Sequence, residues 1–381
     1  MRVCIVYDCL YPYSVGGAER WYRSLSERLA EDGHEVTYLT LRQWEVGAEP
    51  AVSGVKVIAV GPSMALYSGG RRRIRPPLVF GLGVLRHLAA RGHHYDVVHT
   101  ASFPYFSLLA AGLVRSVRGF RIVVDWHEVW TRDYWREYLG APLDRIGWSV
   151  QKLCLRIPQH AFCFSHLHER RLHGQGVAGP VTVLTGQYDG PTDLLVRPAE
   201  PLVVFAGRHI PEKRAPAVVP AVARALTEVP GLRAIIYGDG PDRPKVLELI
   251  RALGLEDIVE APGFVDGDEI DQALGRALCL VLPSRREGYG RVVVEALARG
   301  TPVVVTAGPD NAAVELVEDR ANGFVAPSGR PDDLAEAILR VRRAGDELRR
   351  STAEWYRRHA EELSLEGSLE VVTATYREPA D

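Results

Sequence analysis

"PSRREGYGRVVVEALARGTPVVVT", residues 283–306, leaves one apolar run, turns through Gly288 and Gly290, continues as an amphipathic stretch and ends in a second apolar run. Strand, glycine turn, helix and strand in that order form a β-α-β unit, whose two strands must be parallel. Two glutamates, Glu287 and Glu295, stand eight positions apart in it, an E-x7-E spacing. At 3.6 residues per turn, eight helical residues leave two side chains about 80° apart around the axis, so they are not a facing pair. Glu287 is instead expected in the loop and Glu295 one turn into the helix. Between them the amides of Tyr289, Gly290, Arg291 and Val292 can line a helix N-terminus, where an anionic phosphate is favoured. Carboxylates on either side of a phosphate cradle suit a nucleotide sugar, with Glu287 accepting from sugar hydroxyls and Glu295 from ribose hydroxyls. Val292, Val293, Val294 and Leu297 make this helix largely buried, which argues against two merely solvated glutamates.

The same alternation extends in both directions. Upstream in the second half, strands are expected at 202–207, 233–238, 258–263 and 278–283, with helices near 215–228, 243–253, 267–275 and 290–299, and a strand at 302–306 follows. The first half repeats the pattern with strands at 2–8, 35–40, 55–60, 96–100, 121–126, 161–165 and 181–184, and with helices such as 18–32 and 143–157. Alternating strands and helices predict parallel sheets covered on both faces. Between the halves, "TGQYDGPTDLLVRPAEP" has turn residues and no period, and reads as a linker. The expected organisation is therefore an α/β protein of two doubly wound, Rossmann-like domains: 1–187, a linker at 188–199, and 200–363. Ligands of such sheets bind outside the carboxyl ends of the strands, so two domains are expected to enclose a cleft.

The length of 381 residues agrees, since a single core stops growing at roughly 250 to 300 residues. A formal net charge of -2 supplies no global field for nucleic acid. Locally, Arg71, Arg72, Arg73 and Arg75 form a basic knot that reads either as a solvated loop or as an acceptor-binding or membrane-facing patch. Five cysteines, odd in number and without a CxxC pair, suggest reduced thiols in a cytoplasmic protein. "RVCIVYD" after Met1 is too short and wrongly flanked for a signal peptide, and no apolar run approaches ~20 residues. The expected location is cytoplasmic, with the inner face of a membrane as an open alternative.

Other strand ends carry further candidates. Gly16 and Gly17 precede an amphipathic helix and would let amides approach a phosphate, although the spacing of a dinucleotide fingerprint fails. Arg208 and Lys213, five apart in "FAGRHIPEKRA", suit a pyrophosphate. Only four of the 46 basic residues are lysine, so retention of Lys213 favours that role. Gly238 in "YGDGPDR" serves either a ligand or the turn alone. Phe264 and Val265 either meet a planar base or pack at a strand exit. Asp266 and Asp268 resemble a metal-binding D-x-D but read as a solvated helix start, and no metal is expected.

"EGYGRVVVEALARGTPVV", with "GRHIPEK" upstream and "GGAE" near the start, resembles the retaining nucleotide-sugar glycosyltransferases of family 4, which have the GT-B fold; the likeness covers nearly the whole chain. It implies a hexosyltransferase forming an α-glycoside by front-face chemistry without a metal, in glycan, glycolipid or glycoconjugate biosynthesis. Arg208 and Lys213 would stabilise the diphosphate, Glu287 would touch the 3- and 4-hydroxyls of the sugar, and Glu295 would hold the ribose. Gly288 to Val292 would line the distal phosphate and sugar, and Gly16 and Gly17 would approach from the first domain. His127 in "VDWHEVW" matches the family's histidine near the 6-hydroxyl and anomeric centre. The resemblance thus assigns catalysis to His127, Arg208, Lys213 and Glu287. Glu128, Trp130, Arg72 and Arg73 are acceptor-side candidates, for a carbohydrate, lipid-linked or small-molecule acceptor. The aromatics of 126–138 could stack on an acceptor, rest on a membrane or pack internally. "TGQYDG" departs from the family's interdomain run, and Arg291 stands where an apolar residue is more common; it either contacts phosphate or acceptor or forms a salt bridge. A final helix at about 364–381 is expected to pack back on the first domain. A GT-B nucleotide-sugar epimerase and a non-catalytic nucleotide-sugar binding protein are the alternatives.

Overall fold

Short runs of Val, Ile and Leu that are buried on both faces set the architecture, because only parallel strands with helices on each side can hide such runs completely. In the first unit the strands are β1 (Arg2–Val6), β2 (Glu35–Leu41), β3 (Val55–Gly61), β4 (Val97–Ala101), β5 (Arg121–Trp126), β6 (His160–Cys163) and β7 (Val181–Val183). They form a seven-stranded parallel sheet in the order 3-2-1-4-5-6-7. The second unit has β8 (Leu202–Ala206), β9 (Arg233–Tyr237), β10 (Val259–Gly263), β11 (Cys279–Leu282), β12 (Val303–Thr306) and β13 (Gly323–Ala326). Its six-stranded sheet runs 10-9-8-11-12-13, also parallel. Each is a doubly wound Rossmann-like sheet whose order reverses at the central strand, β1 in one and β8 in the other. This computed structural model describes residues 1–45, 47–48, 50, 52–68, 71–191 and 197–377, without the side chains of 67, 68, 71 and 72.

Central strands are buried most completely. Val3, Cys4 and Ile5 of β1, and Val203, Val204 and Phe205 of β8, have no exposed surface. The edge strand β3 is half-buried along most of its length and turns Lys56 to solvent, a charge that discourages pairing with another chain.

Several expected boundaries shift. The strand at 2–8 ends at Val6, although the Tyr7 amide still donates to the Leu39 carbonyl at 3.1 Å. The helix expected at 215–228 is regular only over Val218–Ala225, after a 3-10 turn at Ala215–Ala217, since Pro216 and Pro220 each lack an amide hydrogen. Strand β13 and the helical stretch Pro331–Leu363, broken at Gly345 where φ is +58°, complete the second unit beyond the elements read from sequence.

The first unit comprises Met1–Thr185 and the chain from Ser368 on, and the second comprises Gly186–Gly367. The crossing at 185/186 thus precedes the segment 188–199 read as a linker. Tyr188 is buried within the second unit, where its amide donates to the Leu363 carbonyl at 3.1 Å and its hydroxyl to the Pro191 carbonyl at 2.9 Å. Residues 192–196 lie outside the described residues. The return crossing falls inside the helix Leu365–Arg377. From it Leu369, Val372 and Tyr376 are buried in the first unit, the Tyr376 hydroxyl bonds His99 Nδ1, and Arg121 donates to the Tyr376 carbonyl.

Tyr376→Ala is therefore expected to destabilise the first unit by about 3 to 5 kcal/mol, the usual cost of emptying a buried aromatic site. Tyr376→Phe, which removes only the hydroxyl, is expected to cost about 1 kcal/mol. Denaturant unfolding followed by tryptophan fluorescence checks both, because all tryptophans except Trp355 lie in the first unit.

Candidate active site

In the second unit the expected residues cluster at the carboxyl ends of β8 to β11. The loop after β8 carries Arg208 and Lys213, and the loop after β11 carries Glu287. Lys213 Nζ forms an ion pair with Glu287 Oε1, and the Ser284 hydroxyl donates to the same oxygen at 2.8 Å. Glu287 is held by a short parallel pairing of Arg286–Glu287 with Asp310–Asn311. Behind it, the Asn311 amide donates to the Ser284 and Thr306 carbonyls at 3.1 and 2.8 Å, and the Thr306 hydroxyl donates to the Ser284 carbonyl at 2.7 Å. The carboxylate is thus fixed by backbone and side chains together. Arg208 is exposed, and its guanidinium has no ion pair among the described residues.

Gly238 is needed by the backbone. Its φ is +116°, and a Cβ there would lie 1.9 Å from the Gly207 carbonyl oxygen. This close approach locks the loop after β9 against the loop bearing Arg208, with the His209 amide donating to the Asp239 carbonyl at 2.8 Å. Phe264, read either as a base contact or as a packed strand exit, follows β10 as a residue 70% exposed, and Val265 is half-buried. The packing alternative therefore fails for Phe264. Asp266 and Asp268 are exposed at the start of the helix Gly267–Arg276.

Gly290 caps the helix Arg291–Ala298 with φ +106°, and a Cβ there would lie 2.8 Å from the Ala313 Cβ. Glycine is therefore required where the chain turns into the helix beside Gly288 and Val292. Tyr289 is buried, and burial pushes its phenol above the ordinary range, although the Arg291 charge and a bond to the Gln187 backbone pull it down. Only the backbone of Tyr289 remains for a ligand. Arg291 is a salt bridge on both sides: its Nε donates to Glu295 Oε1 at 3.0 Å and its Nη2 to Asp189 Oδ1 at 2.5 Å. Asp189 belongs to the "TGQYDG" segment. Glu295, assigned to ribose, is thus held by Arg291.

Arg214 was missed in the sequence. It follows Lys213 directly and adopts φ +53°, a left-handed conformation that costs about 1 to 3 kcal/mol for a side-chain-bearing residue. Burial, and then the neighbouring Arg285 charge, pull its guanidinium below the usual arginine range. It forms no ion pair among the described residues, so the loop carries more positive charge than its carboxylates neutralise. Its signal in the sequence is the second cation of "EKRAP", directly before an alanine and a proline.

In the first unit Gly16 is the N-cap of the helix Gly17–Glu31 with an ordinary extended backbone. A Cβ on it would lie 2.4 Å from the Glu19 carboxylate, which curls back to accept from the Ser14 hydroxyl at 3.1 Å, whereas Gly17 faces open space. The chain's own carboxylate thus lies beside the amides expected to face a phosphate.

His127, at the end of β5, stacks on Phe164 with ring centroids 4.8 Å apart and meets Tyr22 edge-on. Its Nε2 has no hydrogen-bond partner among the described residues. Burial lowers its pKa from the ordinary value, although Asp125, Glu19 and Glu128 pull the other way, so the ring is neutral at pH 7. Asp125 is the residue missed here. It accepts from the Trp21 indole at 2.7 Å and lies 2.9 Å from His99 Nε2. Burial raises its carboxyl pKa, but the contacts with His99, His127 and Trp21 more than offset this, and it stays ionised. Trp21 ties the Gly17–Glu31 helix to the strand that presents His127.

Glu128 accepts from the Trp130 indole at 2.9 Å. Trp130 packs against Phe103, Tyr134, Trp135 and Tyr138, while Trp126, Tyr134 and Trp135 are buried. Of the three alternatives for 126–138, internal packing holds for these three residues. Arg73 is exposed, and the side chain of Arg72 lies outside the described ones.

Two family models match this chain: "Glycosyltransferase Family 4" over residues 15–189 and "Glycosyl transferases group 1" over 192–359. The MMP alpha-(1->4)-mannosyltransferase of Mycolicibacterium hassiacum is 27% identical, over 89% of this chain and 90% of its own. Two curated relatives that are 34% identical align over 46% and 37% of this chain, which spans only 18% and 36% of their lengths. Among solved structures, sucrose-phosphate synthase from Thermosynechococcus elongatus superposes with TM-score 0.78 at 21% identity, over 99% of this chain and 98% of its own. Anabaena Alr3699/HepE in complex with UDP and glucose gives 0.71 at 20% identity, over all of both chains.

His127 binds its proton more weakly folded than unfolded, so it costs no stability above the unfolded value near 6.5 and reduces stability as pH falls below it. The stability of the protein relative to His127→Gln is expected to decline as pH is lowered from about 6.5 to 5. Thermal unfolding across that window, with the His127 C2 proton followed by NMR, checks the sign; an imidazole titrating above 6.5 contradicts it.

Proposed function

Because this chain belongs to the group 1 glycosyltransferases of the GT-B fold, we propose that it is a retaining, nucleotide-sugar-dependent hexosyltransferase. The observation that carries this reading is the meeting of Lys213 and Glu287 beside the glycine-opened helix at Gly290, with Arg208 and Arg214 in the same loop as Lys213 and without an ion pair among the described residues. Anion-binding groups and a hydroxyl-accepting carboxylate then lie together at one sheet edge. The UDP and glucose held by the Anabaena protein support a nucleotide-sugar donor.

In the proposed reaction the bond from the anomeric carbon to the diphosphate oxygen breaks, and the acceptor hydroxyl oxygen bonds to that carbon on the same face. The acceptor proton passes to the departing diphosphate oxygen, and an α-glycoside results. Charge grows on the diphosphate, so preorganised cations and amides supply most of the stabilisation. Arg208, Lys213 and the amides of Gly288 to Val292 take that role, and no metal is required. Lys213 turns from Glu287 toward the phosphate as donor binds, releasing Glu287 for the sugar hydroxyls. Glu295 exchanges Arg291 for ribose hydroxyls. Phe264 and Val265 meet the base. Neutral His127 and the Gly16–Gly17 loop act from the first unit, with Glu128, Trp130, Arg72 and Arg73 toward a carbohydrate, lipid-linked or small-molecule acceptor. The five free, buried cysteines support a reducing, cytoplasmic setting.

A panel of nucleotide sugars, screened first for thermal stabilisation and then with sugar acceptors, tests the proposal. Proton NMR of the new anomeric centre is expected to give the α-configuration, with activity unchanged by EDTA. Arg208→Ala and Lys213→Ala are each expected to lower kcat by about 10²- to 10³-fold. An inverted product, or isomerised donor with no transfer, overturns it; the latter assigns an epimerase.

A further inference from the structure

We propose that the outer helical layer of the first unit docks on an anionic lipid surface. Helix Arg75–Arg91 packs on helix Tyr105–Arg118, which packs on helix Leu143–Leu155, so the three form one layer. Their inner sides join the core through Phe80, Val84, Leu108, Ala111, Cys154 and Leu155. On the outer sides, Leu78, Leu82, Leu113, Val117, Ile146 and Leu153 are 46% to 78% exposed. These residues recur at helical spacing: Leu78 and Leu82 are four apart, as are Leu113 and Val117, and Ile146 and Leu153 are seven apart.

Charge on this layer has one sign. From Met64 to Arg118 the chain has eight arginines and a single acid, Asp96, which pairs with Arg2 away from the helices. The acid of the third helix, Asp144, is buried. Arg75 and Arg86 continue the Leu78–Leu82 stripe at either end. On the neighbouring helices, Arg115 and Arg156 line one groove with Leu153. None of these four arginines forms an ion pair among the described residues. Apolar side chains flanked by such cations match the boundary between acyl chains and anionic headgroups. A second copy of this chain fits poorly, because a two-fold contact would bring the same cations together with no exposed carboxylate on these helices to answer them. No helix among the described residues is long and apolar enough to cross a membrane, so the contact would be peripheral.

Flotation with vesicles of phosphatidylcholine alone, or with one third phosphatidylglycerol, tests this independently of the transferase reading. The protein is expected to float with the anionic vesicles, not with phosphatidylcholine alone, and to be released by high salt. Leu82→Ser with Val117→Ser, and separately Arg86→Glu with Arg115→Glu, are each expected to weaken binding at least about tenfold. Leu82, Arg86 and Val117 are exposed and Arg115 is half-buried, none of them in the core, and thermal unfolding and thermal stabilisation by nucleotide should stay as in the parent. Failure to float with anionic vesicles, flotation that survives both double variants, or light scattering from a dimer that the serine variant makes monomeric overturns the proposal.

Discussion

Parallel strands can be joined only by chain that crosses back over a face of the sheet, and this constraint governs the whole molecule. It places every strand-to-helix loop at one sheet edge, with helix N-termini and their amides facing the same way. Lys213 and Glu287 are 74 residues apart and come from different loops, yet they meet because β8 and β11 are neighbours. Gly238 belongs to the same edge, and its lack of a Cβ lets the β9 loop close against the Arg208 loop.

The charged groups gathered there answer one another within the protein. A carboxylate withdrawn from water and left alone would carry a desolvation cost; a lysine and a serine hydroxyl offset it at the buried Glu287, as an arginine does at the half-buried Glu295. Each carboxylate is thereby held in place without ligand. Around Lys213 the balance differs: Arg208 and Arg214 have no acidic partners among the described residues, and Arg214 holds a strained backbone. Excess positive charge at a strained loop is the arrangement expected where an anion is to be received.

In the first unit, burial does comparable work through a different chemistry. His127 is kept neutral by its aromatic surroundings, while Asp125, two residues earlier on the same strand, stays ionised because His99 and Trp21 meet it. The network reaches the end of the chain through Tyr376. The C-terminal helix therefore belongs to the support of this strand end. On the opposite side of the same unit, the helices that bury Phe80 and Leu108 inward expose leucines and arginines outward.

By itself, the sequence determined the alternation of strands and helices, the two Rossmann-like units and the strand ends at which the motifs lie. Those features follow from local periodicity and glycine placement, which survive in a linear reading. Arg208, Lys213, Glu287 and Glu295 were legible for the same reason, since each sits in a short motif at a strand exit. Only the tertiary structure decided the partners. That Arg291 bridges Glu295 and Asp189, that Asp125 links Trp21 and His99, and that the chain passes between units at 185/186 depend on contacts between segments far apart in sequence. Arg214 and Gly238 likewise owe their significance to backbone conformations imposed by neighbouring loops, and the unpaired cations of the outer helices emerge only once Asp96 and Asp144 are seen to be turned elsewhere. Pairing of charges is a property of three-dimensional proximity, and no pattern along the chain encodes it.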